Sequence, residues 1–236
     1  MANRSTFPEA KFRSECLCQQ VETILPEPFP EGAWRGGTDE DSYIREDSPL
    51  WWGIDMSSDR RWTVIAVCGL REDGNYHVEI VERRLGTDWA LEWFRARAPK
   101  YGSMKLCFQE RGAPVSGLAE QICTIEGVER MAQGGPDLSA GWNRFFDAVA
   151  ACSPEGARGG VKVYHLPQPT LDTPGHTCQL RNLGGGIMLP DRVKSPDDIS
   201  PLMACAMAYA GATTITKKET KIHASSYASG GSLLFV

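Results

Sequence analysis

The run Leu50-Trp51-Trp52-Gly53-Ile54-Asp55-Met56 is apolar but for one carboxylate near its end. It reads as a buried strand, and a buried strand that stops at an acid presents that acid at the rim of a sheet, within reach of a ligand or metal. The bland alternative is an acid that only caps the following turn. Asp59-Arg60-Arg61 is a polar turn, and residues 62–69 form a second strand rich in β-branched side chains. Residues 71–75 carry an Asp-Gly turn signal, and residues 76–83 alternate as a third strand. Turns this short force neighbouring strands antiparallel, so the three make a meander.

The period then changes. Thr87 is an N-cap, and Trp89, Trp93, Phe94 and Arg97 recur at helical spacing. Residues 104–110 are a fourth strand. Because it follows a helix, it returns parallel to an earlier strand by a right-handed crossover. Strand one is the natural partner, with strand three left at an edge. Asp55 and Glu110 then occupy adjacent C-terminal strand ends.

The remainder predicts a helix over 114–122 with Pro at its start, a short strand over 128–132, and a helix marked by Leu138, Trp142, Phe145, Phe146 and Val149. A loop over 156–160, a strand over 161–166 and a helix over 171–183 follow. Gly184-Gly185-Gly186 breaks that helix before a small hairpin of 187–189 with 192–194. Ser200-Pro201 opens a helix over 202–210 that is apolar nearly all round and therefore buried, with Gly211 as its stop and Asp198 at its entry. Residues 1–45 are rich in Pro and Gly and read as an extended arm holding one short helix over 12–25. The arm either wraps this domain or leads to another, and the second is preferred. Residues 215–236 are polar and read as a mobile tail.

Composition limits the choices. The chain has 236 residues, with 23% charged, 42% hydrophobic and a net charge of -5. It carries one core plus tails, no apolar run long enough for a membrane span, and no apolar segment behind Met1 of the kind a signal peptide needs. The eight cysteines include no CxxC and no Cys/His zinc spacing, so they read as reduced, buried thiols. Histidines 77, 165, 176 and 223 form no HxH or HExxH pair. The acidic balance argues against a protein that coats nucleic acid but not against a nuclease, whose acidic site attracts phosphate once it holds cations.

A strand meander, a crossover helix, a strand ending in acid and a late helix entered from an acid resemble the α/β RNase H-like fold, a central mixed sheet flanked by helices. The words Gly53-Ile54-Asp55-Met56-Ser57-Ser58-Asp59, Gly86-Thr87-Asp88-Trp89, Gln109-Glu110-Arg111-Gly112-Ala113-Pro114 and Asp198-Ile199-Ser200-Pro201-Leu202-Met203-Ala204 resemble the nuclease domain of tailed-phage terminase large subunits, those of phages infecting actinobacteria above all. The resemblance covers residues 45–214, with 5–45 similar to the linker from that family's ATPase domain. It implies a metal-dependent endonuclease that cuts concatemeric double-stranded DNA during viral genome packaging in the host cytoplasm. The implied partners are a portal protein, a small terminase subunit and the ATPase domain, with no membrane. No GxxxxGK[ST] occurs, so no ATP site is expected here, and the chain looks like a domain of a longer protein.

The same resemblance implies Asp55, Glu110 and Asp198 as catalytic metal ligands for two Mg²⁺ or Mn²⁺ ions, with Asp197 a near rival to Asp198 and Asp59 a further possibility. Three acids from three elements suit hard, oxygen-seeking cations. Two such ions about 3.5–4 Å apart generate the nucleophile and take up the leaving charge. The structural alternatives are a salt bridge for Glu110, a helix N-terminal acid for Asp198 and a turn residue for Asp59. Glu82 is an outside candidate. Arg60, Arg61, Arg111, Arg181, Arg192 and Lys194 are the candidate DNA contacts, the 181–194 cluster foremost. Three rivals stay open. An actin-like or sugar-kinase-like ATP fold also begins Gly-Ile-Asp, and a resolvase-type nuclease or a silent DNA- or portal-docking module shares the expected topology.

Overall fold

The computed structural model describes residues 26–156, 160–185 and 187–214. The helix expected over 12–25 and the tail beyond 214 lie outside them.

Strands β1 (Trp51–Met56), β2 (Trp62–Leu70) and β3 (Tyr76–Leu85) form the antiparallel meander. Helix α2 (Asp88–Tyr101) crosses back to β4 (Met104–Gln109), which pairs parallel with β1. Helix α3 (Ser116–Ile122) leads to β5 (Val128–Gln133), parallel to β4. Helix α4 (Gly135–Ala150) is followed by β6 (Val163–His165), helix α5 (Pro169–Thr177), the two-stranded β7 (Leu180–Asn182) and β8 (Met188–Pro190), and helix α6 (Ser200–Ala212). A short helix α1 (Ala33–Gly37) precedes β1. The main sheet runs β5-β4-β1-β2-β3-β6, a mixed sheet between two helical layers, which is the RNase H-like arrangement expected.

Four expectations need correction. The helix expected over 171–183 runs Pro169–Thr177 and stops where Cys178 turns extended, leaving 180–182 as strand β7. Strand β3 is not an edge: β6 joins it in parallel, giving a sixth strand, and the Gln168 side-chain amide then continues the pairing by bonding both the N–H and the C=O of Ile80. The hairpin pairs 188–190 backward with 180–182, while 192–194 form a turn after it. Gly211 does not end α6. It lies within the helix, where a glycine is needed because a Cβ would stand 2.2 Å from Cys107 Sγ.

The sheet separates two cores. On one face α2 and α3 bring Ala90, Trp93, Phe94, Ala119 and Ile122 against Trp52, Ile54, Met56, Leu106 and Phe108. On the other, α6 lies directly on the sheet, backed by Trp142 and Phe145 of α4 and Leu171 of α5. Cys68, Cys107, Cys152, Cys178 and Cys205 are free and buried.

The described part of the arm wraps the body. Phe29 and Trp34 are buried in the α6-side core. Trp34 stacks on His165 with ring centroids 4.3 Å apart and donates its indole N–H to Asp172. Thr38 bridges to the outer edge of β6. Burial holds the His165 imidazole below its ordinary pKa near 6.5, and a charge on His77 pushes the same way, against the Leu166 and Trp34 carbonyls and Asp172. The folded state therefore disfavours protonation of this ring, while the unfolded chain protonates it near 6.5. The stability this contributes is present above that pH and is lost as pH falls, by at most about 1.4 kcal/mol per pH unit. Urea melts at pH 7.5 and pH 5 are expected to show the loss, and His165→Gln to flatten it.

Candidate functional site

Asp55 follows Gly53 by two residues on β1, so both face α6. Gly53 is there because α6 lies against it: a Cβ would stand 1.9 Å from the Ala204 carbonyl oxygen. Asp55 pairs with Val64 on β2, and Val64 with Arg83 on β3, so the three form one row across the meander. Arg83 stacks over Trp62 at 3.8 Å and reaches Asp198 Oδ2 at 3.5 Å. Asp198 accepts the Ser200 N–H at 3.0 Å and its hydroxyl at 2.9 Å, satisfying a donor at the start of α6.

Asp55 and Asp198, 143 positions apart, thus lie at the same rim of the sheet, near enough that the charge on Asp198 acts on Asp55. Asp55 is 1% exposed. Burial raises its pKa, the Arg192 guanidinium opposes that rise, and the charge on Asp198 adds to it. Arg192 donates to Asp55 Oδ2 at 2.6 Å and to the Met56 carbonyl at 3.2 Å. Asp55 Oδ1 is buried with no hydrogen-bond partner among the described residues. An orphaned carboxylate oxygen beside a second carboxylate is a donor set that fits a hard cation.

Glu110 is not brought to this pair. Its carboxylate binds Arg130 at 3.0 Å, and Arg130 also binds Glu120 of α3 and lies over Phe108, on the opposite face from Asp55. The parallel register Gly53↔Cys107 carries on to set Gln109 level with Asp55 and on its side. Gln109, Arg181, Arg192 and Met203 line a cleft of about 200 Å³. Sequence reasoning missed Gln109, although counting by twos along Leu106 and Phe108 puts Glu110 on their face and leaves Gln109 with Cys107 on the other. Among the described residues no three His, Cys, Asp or Glu side chains gather into a metal-holding group.

The other candidates are spread out. Asp197 accepts the Thr177 hydroxyl at 2.8 Å. Asp59 holds the β1–β2 turn, accepting from Ser57 Oγ and the Arg61 N–H, and those bonds lower its pKa. Glu82 pairs with Arg84. Arg60 and Arg61 are exposed on the same turn as Asp59, and Arg111 is exposed after β4. Arg181 and Lys194 are exposed on the Arg192 side, where Asp191 Oδ1 accepts the N–H groups of Val193 and Lys194 and so fixes the turn.

Neither a protein-family model nor a curated protein matches the sequence. Solved structures do match in three dimensions. The large terminase of bacteriophage HK97 superimposes with a TM-score of 0.58 at 12% identity, over 76% of this chain and 42% of that one. The large terminase nuclease of thermophilic phage G20c, solved with bound magnesium, gives 0.51 at 14% identity over 75% of this chain and 96% of that one. A further structure of the G20c nuclease gives 0.51 at 13% identity, over 76% and 97%. The protein is thus an α/β protein of RNase H-like fold. More narrowly, it has the fold of large-terminase nuclease domains, as the sequence resemblance implied, and it spans about two fifths of the HK97 chain.

Proposed function

We propose that this chain is the nuclease domain of a viral DNA-packaging terminase large subunit, a metal-dependent endodeoxyribonuclease that cuts concatemeric double-stranded DNA. The observation that carries the reading is the buried Asp55 carboxylate at the sheet rim, one of its oxygens without a partner among the described residues and the charge on Asp198 acting on it. The fold supports it, as does the magnesium bound by the G20c nuclease. On this reading Asp55 and Asp198 hold the cations, and Arg83 keeps Asp198 aimed at the site. Two divalent ions supply a nucleophile at neutral pH and neutralise the leaving oxygen. Arg60, Arg61, Arg111, Arg181, Arg192 and Lys194 give phosphate contacts without base preference, so the choice of cutting position belongs to partners.

Residues 1–45 are then the linker from an ATPase half, with 29–38 packed on this domain. A portal protein and a small terminase subunit are the expected partners, and the host cytoplasm is the expected place of action. Among the described residues no helix is long and apolar enough to cross a membrane.

The test is supercoiled plasmid incubated with the chain in Mn²⁺, Mg²⁺ or EDTA. Nicking and linearisation in either metal, and none in EDTA, is the expected result. Cutting that persists in EDTA, or an absence of cutting in both metals, removes the reading.

A further inference from the structure

Arg192 was expected on DNA, yet its guanidinium is turned inward onto Asp55. The pair is well enclosed, with the side chains 17% and 2% exposed. A buried carboxylate beside a second acid is costly without a positive neighbour, and Arg192 supplies one through a charge-assisted bond. Its second bond, to the Met56 carbonyl, fixes the plane of the guanidinium.

The backbone that carries Arg192 does not depend on this contact. Asp191 Oδ1 holds the turn by two N–H groups, and Ser195 closes it by donating its N–H and hydroxyl to the Asp191 carbonyl at 3.0 and 2.7 Å. The guanidinium can therefore leave while the turn stays built. Next to it Val193 is 92% exposed and Lys194 is exposed, so the turn faces solvent where a phosphate backbone would arrive. A guanidinium grips a phosphate with the same two-pronged geometry it offers a carboxylate.

We propose that Arg192 is a resident counter-cation. It neutralises Asp55 while no metal is bound and is withdrawn by a phosphate of incoming DNA, so that cation uptake at the acid pair is coupled to substrate. This rests on the nuclease reading above. A divalent ion at the free Oδ1 of Asp55 would lie beside the guanidinium at Oδ2 and be repelled by it. Whatever draws Arg192 away therefore raises the affinity of the site for the ion, and the ion in turn raises the affinity for whatever holds Arg192.

Mn²⁺ binding tests this, followed by the paramagnetic resonance of the free ion, with and without a short DNA duplex and with the duplex's own uptake subtracted. Wild type is expected to bind Mn²⁺ about tenfold tighter when duplex is present. Arg192→Gln, and Arg192→Met (which keeps the stem and removes the charge), are expected to bind about tenfold tighter than wild type without DNA and to gain little from duplex. Binding by the folded variants no tighter than wild type overturns the proposal. So does a duplex effect as large in the variants as in wild type, which would come from the phosphates alone. Equal wild-type affinity with and without duplex overturns it whatever the stability of the variants. Metal-dependent plasmid cutting by wild type alongside any of these results leaves the nuclease reading standing. Loss of both cutting and Mn²⁺ binding in wild type removes both.

Discussion

Asp55→Asn is expected to lower metal-dependent plasmid cutting by more than ~100-fold, because even groups one layer out from a metal cost ~10–100-fold when removed. Asn keeps the shape of the side chain but loses the charge that holds a cation, and the orphaned Oδ1 is the atom concerned. The substitution also strips Arg192 of its counter-charge. Breaking a fully buried pair costs about 3–5 kcal/mol. The cost here is expected to be smaller, because Arg192 keeps 17% exposure and the desolvated carboxylate is relieved. Circular dichroism should therefore report a folded variant and the plasmid assay an inactive one. Glu110→Gln is the matched control, and with its carboxylate held by Arg130 on the far face it is expected to retain most of the cutting. Undiminished cutting by Asp55→Asn would remove the proposed site.

Gly53→Ala is expected to be the most destabilising single methyl in the molecule's centre. The added Cβ would meet the Ala204 carbonyl oxygen at 1.9 Å and its carbon at 2.8 Å. Both atoms belong to the backbone of α6, so no side-chain rotation relieves the clash and the helix must move off β1. Overpacking of this kind costs about 1–3 kcal/mol, and a rigid neighbour puts it at the upper end. That corresponds to a melting temperature roughly 6–12 °C lower for a domain of this size. Asp198 bonds the first residue of the same helix, so Mn²⁺ affinity should fall together with stability. A melting curve identical to wild type would mean that α6 does not lie on β1 as described.

The meander, the crossover and the α6 helix were legible because each rests on a local signal: alternation, short turns, or a long apolar run. Strand β6 joining β3 was not, since three residues carry too little pattern to reveal a partner. The glycines from 184 on were read as breaking a helix over 171–183, but that helix already ends at Thr177; turn residues do not say which flanking segments pair, and 188–190 turned back to 180–182. At the site, topology was the ground for expecting Asp55 and Asp198 at one rim, and the Asp198 charge does act on Asp55. Glu110 was placed by its position at a strand end, whereas the two-residue alternation that decides its face points to Gln109. Nothing local links position 55 to 192, so the ion pair became visible only in three dimensions.

The Arg130 cluster has a bearing on solubility. Strand β5 ends the main sheet, and among the described residues no strand pairs with its outer side. An open edge is a template on which a foreign strand can add, and natural sheets discourage this with charge. Glu129 and Arg130 are exposed along β5, and Arg130 is braced by Glu110 and Glu120. Glu110 thereby helps keep a guarding cation upright on the border most open to self-association, and neutralising Glu110 and Arg130 together would favour aggregates at concentrations where the wild-type chain stays dispersed.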